Sequence, residues 1–212
     1  MQGRSETTQE KVLDAARDLL NEKGIEAVSL KDIRERSGIS NGSIFHHFGS
    51  RDGVFLRVFV EERSRYLKAT GDAIIHFAGE DPCDAVAEGA RGALEFQMRD
   101  PWRFTRLILN LIDSDWMMAN KDMWVELTER MQVPVTQWAM PHFASGMLPM
   151  MPLPFFQSIV FGFPERLTSA HVIGRLPQNP LELADKMVLS IASGLKALRD
   201  PAIASGSPAS GG

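Results

Sequence analysis

The sequence has few of the residues that mark secreted, metal-binding or membrane proteins. Among its 212 residues Cys83 is the one cysteine, which excludes a disulfide within the chain and argues against a cysteine-based metal site. No apolar run approaches the roughly 20 residues of a membrane span. The polar start, MQGRSETTQEK, lacks the apolar core of a signal peptide. These absences predict a cytoplasmic protein without a membrane partner.

Sequence motifs of enzymes are also scarce. The chain has no H-E-x-x-H zinc motif, no G-x-x-x-x-G-K-[ST] phosphate loop and no dinucleotide-binding G-x-G-x-x-G. His76, His142 and His171 are too scattered along the chain to indicate a metal site. We therefore predict that the protein is not an enzyme and has no catalytic residue, metal or cofactor.

Strand patterns are missing, whereas helical periodicity recurs throughout, which predicts an all-α fold. Near the start of the chain, polar caps divide the sequence into helices beginning after Thr7, Ser29, Ser40 and Ser50. Gly38 ends the second of them, because glycine adopts the left-handed conformation at little cost.

After Gly79 the helices become longer and more apolar. Three prolines, at positions 134, 141 and 164, fall inside two of these helices and predict kinks or breaks. We expect a domain over residues 1–52, a second over 53–200, and a disordered small, polar tail over 201–212. The helices of the second domain are predicted at Cys83–Arg99, Trp102–Asp113, Trp116–Phe143, Leu153–Ile173 and Leu181–Leu198.

The segment SLKDIRERSGISNGSIFHHFGSRDGVF, from Ser29 to Phe55, predicts a helix-turn-helix. Its second helix is very short and polar where a core helix would be apolar, and Ile44 and Phe48 are its inward residues. Such a helix enters the major groove of DNA and contacts base edges through its N-terminal residues. At Gly42 the backbone can approach DNA closely, which would explain a glycine that otherwise costs about 1 kcal/mol in a helix.

The charge distribution leaves two interpretations open. The formal net charge of −4 argues weakly against a nucleic-acid partner, but local charge matters more than the total. Acidic residues recur every four positions on one band of the first helix, and basic residues lie in or beside the helix-turn-helix. In one interpretation the acidic band faces away from DNA and the basic residues serve the helix-turn-helix. In the other, which is equally compatible, both sets are ordinary solvated helix faces. The acidic residues are Glu10, Asp14, Asp18 and Glu22, and the basic residues are Lys31, Arg34, Arg36 and Arg51.

The stretch KVLDAARDLLNEKGIEAVSLKDIRERSGISNGSIFHHFGSRDGVFLRVF, Lys11–Phe59, resembles the N-terminal signature of the TetR (tetracycline-repressor-like) family. The matching motifs are DAA…L…KG, SLKDI, SGIS-GS-F-HF and the following Ser-Arg-Asp. They cover about the first quarter of the chain, and the rest agrees in helix number and length only. The resemblance implies a three-helix DNA-binding domain followed by a helical ligand-binding and dimerisation domain. It also implies a homodimer that binds a palindromic double-stranded DNA operator and is released by a small ligand.

One position departs from the family pattern. Relatives usually carry tyrosine where this chain has Phe45, and that hydroxyl commonly contacts a phosphate. Either His46 or His47 replaces the contact, or Phe45 packs on a sugar or a thymine methyl; exposed helix ends are the plainer interpretation of both histidines. Asn41 stands where relatives often have lysine or arginine, and its amide can bond an adenine edge or a phosphate. The predicted DNA-binding residues are Ser29, Lys31, Ser40, Asn41, Gly42, Ser43, Phe45, His46, His47 and Arg51.

Methionine and aromatic residues are dense between Trp102 and Phe163. Each residue taken alone is best interpreted as helix core, but as a set they suit an apolar cavity that adapts to a small apolar or aromatic ligand. Gln137, His142, Arg166 and His171 are further polar candidates. The predicted ligand-binding residues are Trp102, Phe104, Leu107, Asn110, Leu111, Trp116, Met117, Trp124, Met131, Trp138, Phe161 and Glu165.

The last two predicted helices resemble the pair through which family members dimerise. Ser190, Gly194 and Ala197 are small enough for a close helix crossing. The predicted interface residues are Ile159, Phe163, Leu167, Ala170, Leu183, Met187, Ser190, Ile191, Gly194 and Leu198.

Two functions remain open at this point. The first is a ligand-responsive transcriptional regulator, most simply a repressor. The second is a DNA-binding regulator of the same fold that has no small-molecule ligand and is either constitutive or controlled by a protein partner. In the second case the methionine-rich and aromatic-rich region would be solid core or a protein interface.

Overall fold

The structure, a computed structural model, describes residues 2–112 and 114–199, without the side chains of residues 2–6 and 123–132. Within these residues the chain forms helices and no strand, which confirms the all-α prediction. The predicted disordered tail lies outside the described residues, as do the side chains of Trp124 and Met131.

The first four helices follow the predicted capping signals with one exception. Helix α1 begins before Thr7, so the prediction that Thr7 caps it is wrong. Favourable helix formers around Thr7 allow the helix to extend towards the N-terminus. Gly24 then ends α1 with a φ of 77°, and the chain forms one 3₁₀ turn. These elements are α1 (Gln2–Lys23), the 3₁₀ turn (Ile25–Ala27), α2 (Leu30–Ser37), α3 (Asn41–Phe48) and α4 (Arg51–Ile75).

The second half of the chain forms helices at the predicted places but with more interruptions. Helices α6 and α7 are joined by a π-helical turn (Thr105–Leu109), and α10 and α11 by another (Ser158–Gly162). A 3₁₀ turn, Pro180–Leu183, leads into the last helix. The helices are α5 (Pro82–Met98), α6 (Pro101–Phe104), α7 (Asn110–Ile112), α8 (Asp115–Ala119), α9 (Lys121–Ala144), α10 (Leu153–Gln157), α11 (Phe163–Val172) and α12 (Ala184–Ala197).

Two details correct the predicted helix boundaries. The single helix predicted at Trp116–Phe143 is broken at Asn120, whose side-chain amide donates to the Trp116 carbonyl (2.8 Å) and so ends α8. Kinks or breaks were expected at Pro134 and Pro141, but both residues lie inside a continuous α9 that neither of them ends. Pro164 lies in the first turn of α11, where its missing N–H costs nothing, directly after the π-helical turn.

The chain divides into two compact units. The first comprises residues 1–65 and 102–124, and the second residues 66–101 and 125–212. The expected domain boundary after residue 52 stays a prediction. Helix α4 contributes residues to both units: Val54 and Phe55 are fully buried in the core of the first, and Tyr66 and Ile74 are buried in the second.

The core of the first unit joins α1–α4 to the segment after Pro101. Val12, Leu19 and Ile33 are buried as the helical periodicity predicts. An ion-pair network adds to this core: Glu62 of α4 pairs with Arg17 Nε (2.7 Å), Arg65 (3.1 Å) and Arg103 (2.9 Å). Glu62 and Arg17 are each 7% exposed, so their pair is shielded from water, whereas the side chains of Arg103 and Arg65 are 34% and 55% exposed.

The core of the second unit centres on α5, which packs against α11 and α12. Helix α4 crosses α5 at two glycines. A methyl group on Gly89 would overlap Ile74, and one on Gly92 would lie 2.8 Å from Ala73 Cβ and 3.2 Å from the Ala69 carbonyl oxygen. The two backbones therefore approach closely at this crossing.

The described part of the chain has neither a helix suited to cross a membrane nor a cluster suited to bind a metal ion. No described helix combines the length and apolarity that a membrane crossing requires. No cluster of histidine, cysteine, aspartate or glutamate side chains with metal-binding geometry occurs among the described residues.

Candidate nucleic-acid interface and apolar cavity

Helix α3 is built to expose polar groups on an apolar base. Ser40 caps it, with its hydroxyl oxygen accepting from the Ser43 amide (3.3 Å), and Gly49 ends it at a φ of 74°. Ile44 is fully buried and fixes which face points inward. Asn41 and Gly42 are consequently exposed at the first turn, where a groove-entering helix contacts bases.

The aromatic residues of α3 divide between surface and support. Phe45 is 52% exposed, which is unusual for a large apolar side chain on a short helix. His46 is exposed, whereas half-buried His47 holds its Nδ1 3.3 Å from Gln9 Nε2 on α1. Phe48 packs against the core, as predicted. His46 is thus the exposed histidine of the pair, and His47 connects α3 to α1.

The start of α2 is closed by a capping box. The Ser29 hydroxyl accepts from the Asp32 amide, and the Asp32 carboxylate accepts from the Ser29 amide (2.8 Å) and hydroxyl. These hydrogen bonds from Ser29, with Lys23 Nζ 3.1 Å away, hold the pKa of Asp32 well below its usual range. A carboxylate at this helix start opposes a phosphate there, so the local charge weighs against Ser29 as a phosphate contact.

The basic side chains near α3 differ in how many contacts they make with other residues of the protein. Arg51 donates to the Val28 carbonyl (3.4 Å) and Asp52, and its guanidinium lies 5.1 Å from the centre of the Phe55 ring. Lys31 is exposed, 4.0 Å from Glu35. Arg36 forms two 2.9 Å hydrogen bonds with Glu22, so its charge is compensated within the unit.

Gly38 to Gly42 also match G-x-S-x-G, the spacing of the hydrolase nucleophile elbow. That motif requires a strand before the serine and a strained turn that exposes its hydroxyl. Here helix α2 precedes it, Ser40 has ordinary extended angles (φ −65°, ψ 150°), and its hydroxyl caps α3. The serine is a helix cap, and the match in spacing is coincidental.

The second unit contains an apolar cavity of about 150 Å³. Its walls come from α4, α9, Met151 before α10, α10 itself, and the π-helical turn after it. Aromatic rings of Phe143, Phe156 and Phe161 line one part, and Val135 and Val160 another. The contribution of α4 consists of Leu67, Thr70, Gly71 and Ile74.

Of the predicted ligand-binding residues, the structure brings Phe161 to this cavity. Most of the others lie in the first unit. Phe104, Leu107, Leu111, Trp116 and Met117 are buried there, with the Trp116 ring edge-on to Phe55 (6.4 Å between centres). Trp102 and Asn110 are exposed. Any ligand role for these residues stays a prediction, and in this structure they do not line the cavity of the second unit.

Two further predicted ligand contacts lie in the second unit beside the cavity rather than in its lining. Trp138 is half-buried against the core, with its ring 4.8 Å from His142. Glu165 accepts from the Tyr66 hydroxyl (3.3 Å). Gln97 in turn donates to the Tyr66 oxygen (2.8 Å) and accepts from Thr168 (2.6 Å). Sequence reasoning missed this buried polar chain because its members come from three different helices.

The predicted dimer residues fall into two groups. One group is surrounded by its own chain: Met187 is buried in the core of the unit, and Leu167, Ala170 and Leu183 are half-buried. The second group converges on one surface groove between the π-helical turn and α12. Its predicted members are Ile159, Phe163, Ser190, Ile191, Gly194 and Leu198, joined by Ser158 and Leu195. Its lining is largely apolar, and its polar side chains are serines.

Comparison with known proteins identifies the first part of the chain. Residues 12–58 match the family model described as "Bacterial regulatory proteins, tetR family". The family match therefore covers the helix-turn-helix segment of the chain. A curated relative, the HTH-type transcriptional repressor AcnR of Corynebacterium glutamicum, is 29% identical over 100 residues. The match covers 47% of each protein, so the chain spans about half the length of this curated relative.

Solved TetR-family structures share the fold along most of the chain. A transcription regulator from Marinobacter aquaeolei VT8 matches with a TM-score of 0.69 at 18% identity, covering 90% of this chain and 98% of that one. The regulator FadR of Bacillus subtilis, solved in complex with stearoyl-CoA, matches with a TM-score of 0.62 at 15% identity, covering 87% and 98%. These matches confirm the predicted helical fold class, and the family match of residues 12–58 is to regulatory proteins rather than to a family of enzymes.

Gly42 offers a test of how closely the TetR-type α3 approaches DNA. A methyl group at Gly42 would meet no atom within 4 Å in the free protein. We therefore expect Gly42→Ala to stabilise the chain by up to about 1 kcal/mol, because alanine favours helices, and yet to weaken DNA binding at least ten-fold. Urea unfolding and operator titration measure the two effects. Unchanged DNA affinity would contradict a close backbone approach at this position.

Proposed function

We propose that this chain is a ligand-responsive transcriptional repressor that binds a palindromic DNA operator as a homodimer. A small apolar or aromatic molecule releases it from DNA. The observation that carries the proposal is the short capped helix α3, which exposes Asn41, Gly42 and Phe45 above a buried Ile44. The relative AcnR is named a repressor, which supports the sign of regulation.

Several features of the first unit support DNA binding. The hydroxyl and amide groups of Ser40 and Asn41 suit base edges or phosphates, and exposed Phe45 suits a thymine methyl or a sugar. Lys31 and Arg51 add positive charge near α3. Because few of the basic groups are uncompensated, one unit alone should bind weakly, and two half-sites acting together supply the affinity.

The surface groove on α12 supports dimerisation. Phe163 is 41% exposed beside Ile159 and Leu198, and such an exposed apolar surface is typical of a protein interface. Gly194 in this groove would allow a second helix to approach closely, since a methyl group there would meet no atom within 4 Å. A second copy of the same face fits the requirement of a two-fold interface that the surface be self-complementary.

The apolar cavity supports control by a small molecule. Helix α4 lines it with Leu67, Thr70, Gly71 and Ile74, and the same helix supplies Val54 and Phe55 to the core that supports α3. A ligand that shifts α4 therefore acts on an element common to both units. The neighbour FadR, solved in complex with stearoyl-CoA, is a protein of this fold that binds a small molecule with an apolar acyl chain. The cavity favours a regulator that binds a small molecule over a regulator that binds none.

Selection of DNA fragments from the source genome by the purified chain tests the proposal. We expect one palindromic site to be bound at least 10³-fold more tightly than random DNA at about 0.15 M salt, with affinity that falls as salt rises. Equal affinity for the selected site and for random DNA would refute specific operator binding.

A charge placed in the groove tests the homodimer. Gly194→Arg is sterically harmless within one chain but introduces a buried charge at the proposed interface. We expect this variant to be monomeric at micromolar concentration and to bind the operator at least 100-fold more weakly. Light scattering after size exclusion measures the first effect. Ser193→Arg, on the same helix but outside the groove lining, is the matched control and should remain dimeric.

A further inference from the structure

We propose that the cavity of the second unit selects an uncharged molecule of about one aromatic ring and excludes carboxylates, amines and acyl-CoA thioesters. This inference rests on the proposed function, because it specifies the ligand class of the same site. It goes further by stating what the site rejects. Three features of the cavity carry it: its volume, its lack of ionisable lining groups, and its ring-rich wall.

The volume sets the size of the ligand. The cavity measures about 150 Å³. Apolar cavities of about this volume, lined by aliphatic and aromatic side chains, accommodate benzene, whereas drug-sized ligands occupy about 300–1,000 Å³. The main body of an acyl-CoA is far larger than the space available. A single ring with one or two small substituents fits it.

The lining sets the charge of the ligand. Among the described lining residues none is ionisable, and the polar ones are Thr70, Thr136 and Gln157. Thr70 already donates its hydroxyl hydrogen to the Tyr66 carbonyl (3.0 Å), so it has none left for an anion. A carboxylate or an ammonium group would lose its hydration here without gaining a counter-charge from the described lining, which is strongly unfavourable. A neutral hydroxyl, by contrast, needs one or two hydrogen bonds, which a threonine or a glutamine side chain can supply.

The aromatic wall favours a ring over a plain aliphatic chain. Phe143 and Phe156 meet edge to face with 6.2 Å between their centres, and Phe161 lies 5.5 Å from the Tyr66 ring. Rings inserted among rings gain edge-to-face and offset-stacked contacts beyond simple burial. Met151 adds an adaptable thioether that can follow the outline of the ligand.

The test uses single-ring probes that differ in charge. Toluene and p-cresol are neutral, benzoate is anionic and benzylamine is cationic at pH 7. Binding to the full chain is measured by ligand-observed NMR titration, without DNA. We expect both neutral probes to bind at least 30-fold more tightly than either charged one. The inference is overturned if a charged probe or a long-chain acyl-CoA binds as tightly as p-cresol, or if neither neutral probe binds at millimolar concentration.

A cavity-filling variant locates the binding site. A methyl group at Gly71 would lie 3.0 Å from Val135 Cγ2, so Val135 must shift by a few tenths of an ångström, but alanine favours the helix and Gly71→Ala should fold. We expect it to weaken p-cresol binding at least ten-fold, with Ser193→Ala, at an exposed helical position outside the cavity lining, as the control that leaves p-cresol affinity unchanged. Equal effects of the two variants would place the probe elsewhere and overturn the inference.

An uncharged three-ring probe, 9-anthracenemethanol, tests the size limit. It should bind at least ten-fold more weakly than p-cresol, and equal or tighter binding would overturn the limit of about one ring. Operator binding is measured separately on the same preparation. Intact operator binding without p-cresol binding refutes the ligand class alone, whereas absent operator binding refutes the proposed function.

Discussion

Asn41→Ala should lower operator affinity about 30-fold to 10⁴-fold. A well-placed side-chain contact with a base edge is worth about 1–3 kcal/mol, and a homodimer presents Asn41 twice, so the loss is about 2–6 kcal/mol. The side chain is exposed on the first turn of α3. Its truncation should therefore leave the stability of the free protein within about 0.5 kcal/mol. Fluorescence anisotropy with labelled operator and urea unfolding measure the two quantities.

A matched substitution tests whether this effect is specific to Asn41. Asn110→Ala removes the same amide from another exposed helical position of the first unit, away from α3, and should leave operator affinity unchanged. If Asn41 contacts a base, its replacement should also reduce the preference for one base pair in the site. A loss of less than three-fold, or an equal loss for Asn110→Ala, would remove α3 from the role of recognition helix.

Glu62→Gln should destabilise the first unit by about 3 kcal/mol. Three guanidinium groups, from Arg17, Arg65 and Arg103, surround the carboxylate of Glu62, which is largely shielded from water. Removing the carboxylate charge is costly because the charge of Arg17, whose side chain is 9% exposed, remains largely desolvated. The neutral amide keeps the shape of the side chain, so the effect reports charge rather than a cavity. The midpoint of urea unfolding, followed by circular dichroism, measures it.

An exposed ion pair on the same helix provides the comparison. Asp72 accepts from Lys68 at 2.6 Å on the surface of α4, and Asp72→Asn should change stability by no more than about 1 kcal/mol. Similar unfolding midpoints for the two variants would mean that the Glu62 network contributes no more than a surface pair. In that event the Glu62 network would add little to the other contacts that hold the helices of the first unit together.

The helix-turn-helix could be predicted almost completely from the sequence because its signals are local. Ser29, Ser40 and Gly38 act within one or two turns, and each adopts the predicted capping or left-handed role. Ile44 is buried as its spacing requires. The prediction that α1 begins after Thr7 is wrong for the same reason, because a local capping pattern at Thr7 is compatible with a helix that begins before it.

The cavity and the ion-pair network could not be predicted in this way. Phe104, Leu107 and Met117 belong to a region dense in aromatic and methionine residues, but composition does not reveal which unit each side chain joins. The small residues Thr70 and Gly71, near the C-terminal end of a long helix, were the signal for the cavity wall that sequence reasoning overlooked. Glu62 gave no signal, since a glutamate on a helix is ordinary until its three partners are known.

The crossing of α4 and α5 at Gly89 and Gly92 has a mechanical consequence. Gly89 and Gly92 carry no side chains, so Ile74 and Ala73 of α4 lie directly against the backbone of α5 and leave little room for compression when α4 is pushed from the cavity side. We therefore expect a ligand in the cavity to displace α4 along its axis rather than towards α5. Larger side chains at either glycine would act as wedges, and we expect them to blunt the response to ligand before they reduce its binding.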